Sequence, residues 1–321
     1  MTQALRFHET GGPDVFLWEE VEVPAPGDGE VRIRHAALGF NSLDADQRAG
    51  RMAPSSFPCI TGIEGAGTVE AVGSGVDGWR EGDRVAYPLS FGAYAETRLV
   101  KATALVALPN DITETQAAAV LTKGLTVYQL FVRMSRLARG DTILFHAAAG
   151  GVGLLACRWA AQIGVRLIGT VGSDDKATII KTNGAAEAIV YTREDTAARV
   201  REITGGDGVA AVFDSVGKDT IDSSIAALGT YGTLVRFGDT SGEVVTSSKS
   251  LPVSTFFAKA SVMTLMRHPN DYRAALDAVW SMTRDGTLRA DEAATFALQD
   301  AGAAHTLFET RRNIGPIVFT V

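Results

Sequence analysis

The sequence predicts an α/β protein in two parts: a doubly wound parallel sheet with helices on both faces, and an antiparallel, barrel-like unit. Three observations predict it. Residues 4–100 read as short alternating strands broken by glycine and proline. From Thr113 the apolar spacing becomes helical, and strands then alternate with helices up to about Phe237-Gly238. The tail from about Met266 returns to one helix and short strand-like pieces.

In the first part, Glu30-Val31-Arg32-Ile33-Arg34-His35 alternates polar and apolar residues, the pattern of a half-buried strand. Gly67 to Gly73 and Asp83 to Tyr87 repeat it, separated by turns such as Ala25-Pro26-Gly27-Asp28-Gly29. The middle opens with a helix over 113–134, started by Thr113 and Glu114. A strand Thr142 to His146, a helix from about Val152 to Ile163, a strand Arg166 to Val171 and a helix around Lys176 to Asn183 follow. Glu187 to Tyr191, Gly208 to Asp214 and Thr233 to Gly238 complete the buried strands. The expected division is 1–122 and 266–321 in one domain, with 123–265 between them.

Composition narrows the classes. Charged residues make up 21% and the net charge is −7, so no basic footprint for nucleic acid is expected. The two cysteines, Cys59 and Cys157, exclude a disulfide scaffold and a four-cysteine zinc site. No apolar run approaches the ~18 residues that span a bilayer. The start MTQALRFHETGG lacks a signal core. A cytoplasmic protein with no membrane partner is the expectation.

The chemistry concentrates after the strand ending at His146. There Ala147-Ala148-Ala149-Gly150-Gly151-Val152-Gly153 opens a helix. A dinucleotide pyrophosphate needs close backbone approach and the unpaired N–H groups of a helix start. Gly150, Gly151, Val152 and Gly153 are therefore the candidate cofactor loop; a ligand-free tight turn is the plainer alternative. About 20 residues on, where an acid would hold the ribose of NAD, the strand ends in Gly172-Ser173. Lys176 follows and favours a 2′-phosphate, hence NADPH. Asp174 and Asp175 pull the other way, either repelling the phosphate, holding the ribose, or capping the helix.

The run His146 to Gly153 followed by Leu154-Leu155-Ala156-Cys157 resembles the zeta-crystallin-like quinone oxidoreductases, zinc-free members of the medium-chain dehydrogenase/reductase group. Gly11-Gly12-Pro13, Asn41 with Asp44 and Arg48, Lys123 to Tyr128, Asp214-Ser215-Val216-Gly217 and Phe237-Gly238 extend the resemblance over nearly the whole chain. It implies a GroES-like β-barrel catalytic domain, a Rossmann domain and a homodimer. It also implies that Ser173, Lys176 and Tyr191 surround the 2′-phosphate. Asn41, Lys123 and Thr126 would lie near the nicotinamide and its ribose, as the catalytic set. Val216, Gly217, Phe237 and Gly238 would line the cofactor, and Arg311 would close over it, although Gly315-Pro316 departs from the Gly-Lys often found nearby. Where zinc-dependent relatives carry His-Glu this chain has Ile63-Glu64, so no metal is expected.

The resemblance places Asp46, Met52 and Glu64 about the substrate pocket, with Asp46 standing where relatives often carry tyrosine. The plainer reading of Asp46 is a solvated loop carboxylate. The implied reaction is NADPH-dependent reduction of a quinone or an α,β-unsaturated carbonyl (enone), with an amide such as that of Asn41 donating to the substrate oxygen. Asn41 reads alternatively as a turn residue. Tyr87, Tyr94 and Lys123 are the chemically capable proton donors, the tyrosines reading equally as core. The five histidines read as structural or surface residues. Two other readings are an enoyl-thioester reductase and a non-enzymatic, crystallin-like or RNA-binding NADPH-binding protein.

Overall fold

A computed structural model describes residues 1–244 and 251–321. The chain divides into two compact units, residues 1–122 with 289–321, and residues 123–288. The second unit thus continues past the expected return at 266. Its helix Pro269–Arg284 buries Ala275, Val279 and Trp280. A Cβ on Gly124 would lie 3.0 Å from the Val279 side chain, so that glycine lets the helix pack against Glu114–Tyr128.

In the first unit, strand Glu30–Gly39 buries Val31, Ile33, His35 and Ala37 on one face. It pairs antiparallel with Gly65–Val72, Thr97–Lys101 and the C-terminal strand Ile317–Thr320. Leu5, Ile33, Leu38, Val69, Val85 and Phe319 fill the core between the sheets. One element escaped the strand-dominated reading. Helix Ser42–Arg48 buries Asp44, Ala45, Gln47 and Arg48, a mostly polar face without an apolar stripe. Asn41 caps its start and Asp46 lies within it, so neither is a simple turn or loop residue.

The second unit is a six-stranded, all-parallel sheet, in the order Glu187–Val190, Arg166–Val171, Thr142–Phe145, Val209–Asp214, Leu228–Arg236 and Phe256–Lys259. Ile143, Leu144, Leu167, Ile168, Val212, Phe213 and Leu234 are all buried, as strands covered on both faces require. Thr142–Phe145 and Val209–Asp214 are neighbours far apart in sequence, so the winding reverses between them. In open α/β sheets ligands bind at the carboxyl ends of the strands beside such a reversal. All the strands being parallel, the loops after Phe145, Val171, Val190, Asp214 and Arg236 share one sheet edge.

Candidate active site

The glycine loop leaves the carboxyl end of the central strand at that reversal. His146 N–H donates to Phe213 O at 3.0 Å and Ala148 N–H to Thr170 O at 3.1 Å, tying the loop to both neighbouring strands. Ala147 has φ +54°, a left-handed conformation uncommon for a residue with a Cβ. Helix Gly151–Ile163 then begins on Gly150, and no side chain caps it. Its first N–H groups and positive dipole end therefore face outward from a loop of small residues, which suits a pyrophosphate. A Cβ at Gly153 would lie 2.5 Å from Ala148 O and 2.6 Å from Ala147 O. Only glycine lets the helix lie that close to the strand.

The loops beside it are built to hold shape. The Asp214 carboxylate is fully buried and accepts from Val216 N–H at 2.8 Å, Gly217 N–H at 3.0 Å, Thr220 Oγ1 and Ser224 Oγ. Ser224 Oγ donates to Asp214 at 2.7 Å and so accepts from His146 Nε2 at 2.9 Å, while His146 Nδ1 accepts from Thr170 Oγ1 at 3.1 Å. Burial lowers the His146 pKa, against the pull of Asp214. This chain pins the ends of three strands beneath the glycine loop. Phe237 N–H donates to Asp214 O, and a Cβ on Gly238 would stand 3.0 Å from Ser215 O, so the fourth strand end is fitted tightly too.

At the next strand tip, Ser173 rather than Asp174 or Asp175 caps helix Asp174–Thr182: its Oγ accepts from Lys176 N–H. Lys176 is half-buried, and desolvation pulls its ammonium below the usual lysine pKa. The Tyr191 hydroxyl lies 2.9 Å from where a Cβ on Gly172 would be. Ser173, Lys176 and Tyr191 are thus gathered on two adjacent strand tips. Lys123 is buried and Thr126 half-buried, three residues apart on one helix and hence on one face of it.

In the first unit, Glu64 is completely buried. Its carboxylate accepts from Asn41 Nδ2 at 3.0 Å and from Thr122 N–H at 2.7 Å. Asn41 Nδ2 also donates to Gly39 O at 3.1 Å, and Asn41 N–H donates to Asp44 at 2.9 Å. Both amide hydrogens of Asn41 thus have partners within the protein, and its side chain also takes part in a capping box with Asp44. Asp46 accepts from Arg51 Nε at 2.7 Å, and Met52 N–H donates to Asp46 O. Arg311 follows helix Ala301–Glu309 with φ +56° and an exposed side chain.

Neither tyrosine suits a proton donor. Tyr87 is buried, its pKa pushed up to about 12 by desolvation, and it donates to His35 Nε2 at 2.9 Å. Tyr94, raised well above its usual value by burial and then by Asp44, donates to Asp44 at 3.1 Å. Sequence reasoning missed the assembly around it. Arg48, 1% exposed, donates through Nε to His305 Nδ1, so His305 Nε2 must donate to the Tyr94 hydroxyl at 3.2 Å. Arg48 also reaches Gly11 O and Glu309. Gly11-Gly12-Pro13 and Arg48 stood in the sequence only as separate motifs of the resemblance, with nothing to join them.

Among the described residues no group of three His, Cys, Asp or Glu could hold a metal, and no helix is long and apolar enough to cross a membrane. Both cysteines are buried, and burial drives Cys157 up to about 12.

A parallel sheet with a glycine loop at an uncapped helix start, in a chain that also builds a separate, largely antiparallel unit, defines a medium-chain dehydrogenase/reductase. The sequence matches the family model "Zinc-binding dehydrogenase" over residues 151–281 and the model "Alcohol dehydrogenase GroES-like domain" over residues 27–110. It is 41% identical to a quinone oxidoreductase of Pseudomonas aeruginosa, over 99% of both chains. It is 37% identical to a 2-haloacrylate reductase of Burkholderia, over 99% of this chain and 98% of the relative. The solved Escherichia coli quinone oxidoreductase complexed with NADPH superposes with a TM-score of 0.94 at 36% identity, covering 99% of this chain and all of that one. The chain belongs to the quinone oxidoreductase family and is an oxidoreductase.

Proposed function

We propose that the protein is a metal-independent, NADPH-dependent reductase of quinones or of small α,β-unsaturated carbonyl compounds. The carrying observation is the strand-tip arrangement of the second unit: an uncapped glycine helix start, with Ser173, Lys176 and Tyr191 gathered on the neighbouring tips. The relatives crystallised with NADPH and named for quinones support it, and the 2-haloacrylate reductase supports a conjugated, electron-poor carbon as the acceptor.

Gly150 to Gly153 hold the pyrophosphate through backbone N–H groups, and Gly153 keeps the helix close enough for them to reach it. Lys176 places its partly desolvated charge on the 2′-phosphate, with the Ser173 and Tyr191 hydroxyls beside it. Val216, Gly217, Phe237 and Gly238 line the cofactor on strand ends fixed by Asp214. A nicotinamide held here would supply a hydride to the electron-poor carbon. Lys123 and Thr126 offer their donors to the ribose and carboxamide. Asn41, held by Glu64, lies beside the cofactor, and Asp46 and Met52 border the substrate, with Arg311 as an outer cover. The oxyanion or enolate is protonated from water or by Lys123, since Tyr87 and Tyr94 are sealed in the core.

We also assign a homodimer. Among the described residues the sheet ends on Phe256–Lys259, whose Phe256 and Phe257 are exposed, and an apolar edge strand is a template for a second copy. Light scattering on the eluted protein should give twice the chain mass; a monomer would refute this. For the activity, NADPH oxidation is followed with 1,4-benzoquinone, 9,10-phenanthrenequinone, a cyclic enone, 2-chloroacrylate and an unsaturated acyl-CoA. Turnover on the quinones or the enone supports the proposal. Turnover confined to acyl-CoA makes the protein an enoyl-thioester reductase, and turnover on none overturns the proposal.

A further inference from the structure

The loops that would select between NADPH and NADH carry an apparent contradiction. Asp174 stands about 20 residues beyond the glycine loop, where an NAD site places the acid that accepts from the ribose hydroxyls. The same carboxylate would repel a 2′-phosphate. In this structure an arginine engages it, while the Asp174 side chain stays 71% exposed. Arg193 lays its guanidinium fork on Asp174, Nη1 to Oδ2 and Nη2 to Oδ1, both at 2.5 Å. The ion pair holds the carboxyl below its usual pKa and keeps it charged.

The pair closes across two neighbouring strand tips. Asp174 opens the helix after Arg166–Val171, and Arg193 follows Glu187–Val190. These strands are adjacent and parallel, and their tips are further joined by Thr192 Oγ1 donating to Gly172 O at 3.3 Å. Tyr191, two residues before Arg193, has its hydroxyl over Gly172. The arginine therefore pairs with the acid on the same tips that carry Ser173, Lys176 and Tyr191. A bidentate fork satisfies both carboxylate oxygens at once, which a lysine could not do.

We propose that Arg193 is a specificity-determining residue: by masking Asp174 it removes the acceptor an NADH ribose would use and cancels the charge that would repel the 2′-phosphate of NADPH. The inference rests on the NADPH reading above. It differs from the role given to Lys176, which attracts the phosphate; Arg193 acts by silencing a neighbour.

The test is a double-mutant cycle on dissociation constants, measured by titrating the protein with NADPH and with NADH and reading nicotinamide fluorescence. Arg193→Ala should weaken NADPH about tenfold, as expected for an unmasked carboxylate near a phosphate dianion at partly screened range, and leave NADH unchanged or tighter. Asp174→Ala with Arg193→Ala should restore NADPH to within about threefold of the parent protein. Retained NADH binding shows that the single variant is folded. An unchanged NADPH to NADH ratio in Arg193→Ala overturns the proposal, since the pair is then only a surface contact. A double variant as weak as the single one overturns it as well, because Arg193 would then act on the phosphate directly. A parent protein that does not prefer NADPH at all refutes the NADPH reading itself, and with it this inference.

Discussion

Lowering the pH from about 7.5 to about 5 should strip the first unit of much of its stability, because two of its buried histidines cannot take up a proton without losing their partners. His35 donates through Nδ1 to Ala95 O at 2.6 Å and accepts from Tyr87 at Nε2, with the Arg98 charge near. His305 accepts from Arg48 and donates to Tyr94, with the Phe16 and Phe40 rings edge-on to it. Desolvation first, and then the nearby arginine, lowers each from 6.5 to about 3. The unfolded chain binds those protons below about pH 6.5 and the folded chain does not, so the contribution is complete above that value and is lost as pH falls toward 3. At about pH 5 each histidine costs about 2 kcal/mol, hence about 4 kcal/mol for the pair. That is a large share of a stability of about 5–15 kcal/mol. Glu19, Glu30 and Glu114, held low by Arg6, Lys101 and Arg84, lose their contributions only below about 4.5, outside the window. Urea unfolding followed by tryptophan fluorescence at the two pH values measures the difference, and His35→Gln should roughly halve the part belonging to this pair. An unfolding free energy equal at both pH values to within about 1 kcal/mol would refute the neutral, buried state of these rings.

Further outcomes follow from the second unit. Gly153→Ala drives a methyl group into the carbonyls of Ala147 and Ala148, so it should cost about 1–3 kcal/mol in thermal unfolding and abolish dinucleotide binding in a fluorescence titration. Lys176→Ala removes one charge-assisted contact, about 1.5–3 kcal/mol, and should weaken NADPH about tenfold to a hundredfold while NADH changes little. Ser224→Ala breaks the His146–Ser224–Asp214 chain and should lower stability by about 1–3 kcal/mol, read in a denaturation curve.

The parts of the fold legible in the sequence were those encoded locally. The glycine loop announces itself because strand, small residues and helix follow one another within a few positions, and the period-2 run at Glu30–His35 is a strand wherever it lies. Helix Ser42–Arg48 was illegible because it turns Asp44, Gln47 and Arg48 inward rather than an apolar stripe. The return point near 288 was illegible because the amphipathic helix Pro269–Arg284 does not say which core it faces. At the candidate site, Gly150 to Gly153 and Lys176 were readable as chemistry. The fork of Arg193 on Asp174 was not, since its partners lie 19 positions apart and meet only when two strands pair. The contact of Asn41 with Glu64 was hidden for a like reason, the two lying 23 positions apart.

The central claim is that these strand tips bind NADPH and that the chain reduces an electron-poor acceptor without a metal. The most direct measurement is the steady-state rate of 1,4-benzoquinone reduction by EDTA-treated protein, with NADPH and NADH compared at matched concentrations. Turnover should survive chelation, with a kcat/KM at least about tenfold higher with NADPH, the scale of one phosphate contact. Loss of activity on chelation, or equal use of NADH, would contradict it.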